Sequence, residues 1–113
     1  MKHAKIPCAE CPWRRDVPPG KFPPKRFRLF APCSYDTARQ IFACHMRKEG
    51  EEFACAGFLL QSAAHNLSVR LAKCRQMIEV SSPYPLYGTY REMAIANGVQ
   101  PNDAALAYCR DDP

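Results

Sequence analysis

Four cysteines carry most of the chemistry legible in this chain: Cys8 and Cys11 in Pro-Cys-Ala-Glu-Cys-Pro-Trp-Arg, then Cys44 and Cys55 in two short apolar runs. Two thiolates at C-x2-C spacing chelate one ion, because the intervening turn aims both sulfurs and nearby backbone N–H groups at one point. With Cys44 and Cys55 added, the set becomes four soft ligands suited to tetrahedral Zn2+. The same four thiolates suit a 4Fe–4S cluster, and Pro12 after Cys11 is a neighbour found in bacterial ferredoxin motifs. Ligand counting leaves the metal open. His45, beside Cys44, is an alternative ligand that would make the set three cysteines and one histidine. A thioredoxin-type dithiol at Cys8 and Cys11 would need a helix directly after it, and Pro12, Pro18 and Pro19 argue against one. Cys44 and Cys55 also have a plainer reading as buried thiols, since free cysteine is among the most buried residue types.

These ligands must be held by the elements around them. Ile41–Met46 and Phe53–Ala56 flank a charged segment with Gly50 near its centre, which predicts a β-hairpin over 41–56. With a Glu49-Gly50 turn, Cys44 falls directly opposite Cys55, at cross-strand Cβ spacing, while His45 points to the other face. Leu60, Ala64, Leu67, Leu71, Cys74 and Ile78 recur at alternating spacings of four and three. They predict one long core helix over 57–80, with Cys74 on its apolar stripe. Ser62, Asn66, Arg70 and Lys73 would line its solvated face, and His65, Asn66 and Arg70 form a candidate polar cluster there. Shorter helices are expected after Pro24, from Ser34 towards Ile41, from the Thr89-x-x-Glu92 capping box to Asn97-Gly98, and after Pro101. Cys33 and Cys109 are read as structural or incidental.

Seven of the eleven prolines fall at or before Pro32, so the first third of the chain cannot be ordinary helix or sheet. An ordered segment of that kind needs a staple, which a metal site would supply. Residues 1–48 carry eleven Lys/Arg against three acids, whereas residues 49–113 carry five against eight. Arg14, Arg15, Lys25, Arg26 and Arg28, interleaved with Trp13, Phe22 and Phe27, are candidates for contact with nucleic acid or an acidic protein surface. The plainer reading is that the aromatics cover the cysteine knuckle and dock it on the core helix. No signal-peptide-length apolar stretch and no membrane span is evident, which points to a cytoplasmic protein with reduced thiols. No catalytic residues are assigned, since no nucleophile–base pairing, HExxH motif or phosphate-cradling glycine loop is visible.

The segments Pro7–Arg14, Phe42–His45, Ala54–Gly57, His65-Asn66 through Arg70-Leu71, and Arg91–Gly98 together resemble a family of small Cys-rich bacterial and phage proteins of unknown function. The resemblance spans nearly the whole chain. It implies that Cys8, Cys11, Cys44 and Cys55 recur as a set with His45 beside them, and it implies a bacterial or phage source.

The expected fold is therefore mainly α (small α+β): a long central helix, short helices and one short hairpin, stapled as a single domain by a four-cysteine metal site. The expected function is a zinc-stabilised module that binds nucleic acid or a protein. An iron–sulfur redox or sensing protein is the first alternative and a metal-dependent enzyme the second.

Overall fold

Proline opens the first helix of the computed structural model, which describes residues 2–35, 38, 40–43, 53–63, 66–76 and 78–109. Pro24 occupies a first-turn position of α1 (Pro24–Phe30), where its missing N–H costs no intrahelical bond. The chain tightens directly into a 3-10 turn, Ala31–Ser34. α2 (Ala56–Gln61), α3 (Leu67–Cys74) and α4 (Tyr90–Ala96) follow, then a 3-10 turn at Ala104–Leu106. The described residues are mainly helical, with pairing between extended segments limited to isolated bridges. None of their helices is long and apolar enough to cross a membrane.

Helices of six to eight residues are too short to hold themselves together in water, so tertiary packing must stabilise them. That packing centres on aromatic rings. Trp13, fully buried, meets Phe42 and Tyr90 edge-on, and Phe42 stacks on Phe58 of α2. The Tyr90 hydroxyl donates to the Phe27 carbonyl at 2.7 Å, tying α4 to α1. Main-chain bridges close the proline-rich arm onto distant segments. Arg14 pairs with Leu86, Tyr87 N–H donates to Trp13 O, and Tyr35 pairs with Cys109. Ala54 is shared by two bridges, one to His3 and one to Ala43.

The capping box at Thr89 forms in part: its hydroxyl accepts from Glu92 N–H, while the Glu92 carboxylate reaches back to Gly88 N–H. Gly98, at φ 104°, supplies the left-handed stop after Asn97. After Pro101 the chain forms the 3-10 turn capped by Asp103 in place of a longer helix; Arg110 lies outside the described residues.

Three expectations are corrected. The single helix over 57–80 is two, because Asn66 starts a new one. Its side-chain oxygen accepts from Val69 N–H at 3.2 Å, and its amide donates to Gln40 O at 2.6 Å and more weakly to Cys33 O. The restart changes the phase, so Val69 and Ala72 are buried while Leu71 and Cys74 are exposed. The pairing expected of the hairpin also differs where it is described, residues 44–52 lying outside the described residues. Ala43 pairs with Ala54, not with Ala56, because Ala56 already begins α2 and can no longer pair as a strand. Finally, the helix expected from Ser34 does not begin at Tyr35, which is extended, and the Ser34 hydroxyl bonds Ser62; residues 36, 37 and 39 lie outside the described residues.

Candidate metal centre

The knuckle is built by the turn that the sequence spacing implies. Cys11 N–H donates to Cys8 O at 3.2 Å, and Arg14 N–H donates to Cys11 O at 3.1 Å. The Trp13 backbone N–H points back at the Cys11 sulfur. Amide-to-sulfur contacts of this kind favour the thiolate over the thiol.

Cys55 reaches the knuckle from the other side, as the residue preceding α2. Its position is fixed by a bond from its N–H to Phe42 O at 2.9 Å and by its own carbonyl accepting from Leu59 N–H. The Cys11 and Cys55 sulfurs lie 3.6 Å apart, with 44 residues of chain between them. That is far beyond the S–S bond length of about 2.04 Å. It is close to the edge of a tetrahedron of sulfurs around one zinc, about 3.8 Å for Zn–S bonds of 2.3 Å. Cys8, half-buried, also hydrogen-bonds Cys11 through its side chain.

The hydrogen bond with Cys55, followed by burial, pushes the Cys11 thiol up to about 12, while the Cys8 contact pulls the other way. Crowded sulfurs cannot all ionise without a cation between them. Cys44 and His45 lie outside the described residues, so the four-cysteine set and its variant with histidine are represented by Cys8, Cys11 and Cys55. Among the described residues alone, no group of three or more His, Cys, Asp or Glu is arranged to hold an ion.

Arg14 clamps the knuckle. Its guanidinium donates to Cys8 O at 3.1 Å, forks onto both oxygens of Asp16 at 2.8 and 2.7 Å, and lies 3.5 Å over the Tyr84 ring. Asp16 is held below the usual carboxylate range by that bond. Gly57 in α2 receives Trp13 directly, so the knuckle docks on the helix that follows Cys55. Trp13 thereby takes the docking position expected of the aromatics.

The basic arm is largely matched by intramolecular partners. The described carboxylates are Glu10, Asp16, Glu79, Glu92 and Asp103, and four of these five pair with arm cations. Arg14 takes Asp16, Arg15 takes Glu92, Lys21 takes Glu10 and Arg28 takes Asp103. Arg26 lies over Phe22 and Phe30, and Lys25 is exposed. Exposed pairs of this kind are weak individually, but they lower the arm's net field.

The polar cluster on the predicted helix face is not brought together as a site. Asn66 is 1% exposed and serves as a structural tie, Arg70 is exposed, and His65 lies outside the described residues. Sequence reasoning missed Asn66 in that role, although Asn before a Leu-Ser-Val run is an N-cap signal. It also left His3 unassigned, whereas His3 accepts from Glu79 N–H through Nε2 and bonds Ala4 O through Nδ1.

No curated protein and no solved structure matches the chain. One family model does, over residues 3–110, which is nearly the full length expected from the motifs. The chain belongs to that family, described as a family of unknown function (DUF6283).

Proposed function

We propose that this protein is a small zinc-stapled binding module, in which Cys8, Cys11, Cys55 and Cys44 hold one Zn2+ and the folded surface engages nucleic acid or an acidic protein. The observation that supports it most is the 3.6 Å approach of the Cys11 and Cys55 sulfurs, beside a C-x2-C knuckle in which the Trp13 amide already points at the Cys11 sulfur. In a 4Fe–4S cluster each thiolate binds a different iron, so the ligand sulfurs stand farther apart than two on one ion. The close pair therefore favours a single ion over the cluster. Four thiolates on one zinc leave no open position for substrate, which disfavours a metal-dependent enzyme. A bacterial or phage protein in a reducing cytoplasm would keep these thiols free to bind.

Metal in such a site contributes folding free energy of order ~10 kcal/mol. Elemental analysis and a visible spectrum on protein prepared without oxygen test the proposal. Colourless protein with about one zinc per chain is expected. Cys11→Ser and Cys44→Ser should lose the zinc and loosen the proline-rich arm, while Cys74→Ser keeps both. A brown, iron-loaded product would establish the cluster instead, and protein with neither metal would remove the staple.

A further inference from the structure

The ion pairs of the arm shift attention to cations elsewhere. Arg70, Lys73 and Arg75 are all exposed, on α3 and its C-terminal cap, and none of them pairs with a carboxylate among the described residues. Lys2 and Lys5 are also exposed, and they line a cleft with Gln76 and Glu79 at the C-terminal end of the same helix. The one described carboxylate left outside the arm's ion pairs, Glu79, thus faces two lysines in that cleft.

Favourable interaction with the helix dipole explains Lys73 and Arg75 near the C-terminus, but it explains neither Arg70 in mid-helix nor the lysines across the cleft. Packing explains none of them: α3 buries Val69 and Ala72, while Arg70, Lys73 and Arg75 are exposed. Arg70 and Lys73 stand one turn apart, and Arg70 to Arg75 covers about 7.5 Å along the axis at 1.5 Å per residue. Between Arg70 and Arg75 the exposed apolar side chains are Leu71 and Cys74; beside the lysines Ile6 is exposed, and Phe53 and Ile78 line the cleft half-buried. A protein partner would want a larger buried apolar centre, whereas a polyphosphate needs only spaced positive charge.

We infer that the exposed face of α3, with Arg70, Lys73 and Arg75 flanked by Lys2 and Lys5, is a docking surface for the phosphate backbone of a nucleic acid. This deepens the binding-module reading by placing its contact surface on α3 in place of the proline-rich arm, and it does not depend on which metal the cysteines hold.

Fluorescence anisotropy of a labelled 20-base-pair DNA duplex with the full chain tests it. Three phosphate contacts predict about a 40-fold loss of affinity between 50 and 200 mM salt, from a log–log slope of about −2.7. Arg70→Gln/Lys73→Gln/Arg75→Gln should abolish that binding with circular dichroism and zinc content unchanged. The charge-keeping Arg70→Lys/Lys73→Arg/Arg75→Lys should bind as the parent does, as should Lys25→Gln/Arg26→Gln. Undiminished binding by the neutral triple variant would overturn the assignment, as would no duplex binding by the parent at 50 mM salt. Displacement of the duplex by polyglutamate at equal charge would also overturn it, in favour of an acidic protein partner. Zinc content is read separately on each protein, so loss of the staple and loss of the surface are distinguishable.

Discussion

Trp13 lies directly on the backbone of Gly57. A Cβ added at Gly57 would fall 2.5 Å from Trp13 Cβ and 2.7 Å from its Cγ. Both atoms belong to the rigid root of a fully buried indole, so neither can swing aside. Gly57→Ala should destabilise the fold by roughly 1–3 kcal/mol, as overpacking does. The protein has one tryptophan, so its emission during urea unfolding reports on this contact directly. A midpoint unchanged within error would mean that the arm docks elsewhere in solution.

Asn66 satisfies three backbone groups with one side chain. Asn66→Ala removes the helix cap and leaves buried acceptors unpaired, which together should cost roughly 2–4 kcal/mol. Asn66→Asp keeps the capping oxygen but loses the donor to Gln40 O, so it should be destabilised as well. Urea melts of the two variants separate the contributions; equal stability of parent and alanine variant would refute the tie.

Arg14 links the Cys8 carbonyl to Asp16 and Tyr84. Arg14→Lys keeps the charge but not the fork or the planar stack. Its melting midpoint should move little, whereas, with the proposed zinc bound, transfer of that zinc to a chromogenic chelator should become several-fold faster. An unaltered transfer rate would reduce Arg14 to a surface ion pair.

Alkali should unfold this protein through its buried thiols. Burial pushes Cys33 up to about 12 from an ordinary 9.0, and it raises the Tyr90 hydroxyl as well. A group raised in the folded state contributes stability fully below its unfolded value and loses that contribution as pH climbs towards the folded one. Each such group therefore withdraws up to roughly 1.4 kcal/mol per pH unit above its own unfolded value, which for a thiol lies near pH 9. Urea melts between pH 8 and 10.5 should show the decline, with a shallower slope in Cys33→Ala. Parallel slopes would remove Cys33 as a contributor.

The elements legible in the sequence are those with local stop and start chemistry. Pro24 opens α1, Thr89 caps α4, Gly98 ends it, and Cys8 and Cys11 form a turn. Periodicity fails between 57 and 80 because apolar spacing continues across a break that one buried asparagine imposes. The stripe through Leu71 and Cys74 is consequently on the outside. The hairpin spacing pairs Cys55 with Cys44, whereas the structure brings Cys55 to Cys11, a contact across 44 residues that no local spacing encodes. The arm's cations are legible as charge and illegible as pairs, because their partners Glu92 and Asp103 lie far along the chain.

The bridge between Arg14 and Leu86, reinforced by Arg15 Nε donating to Leu86 O 71 positions away, sets a timetable for synthesis. At ribosomal rates of 5–20 residues per second, the arm waits about 4–14 s for its partner segment to be made. Throughout that interval Trp13 can meet Phe42 and Gly57 but lacks the Tyr87 main-chain bond and the Tyr90 ring that complete its burial. A nascent chain of this protein is thus most open to oxidation and to chaperone capture before residue 86 leaves the exit tunnel, and early metal capture by the knuckle would shorten that exposure.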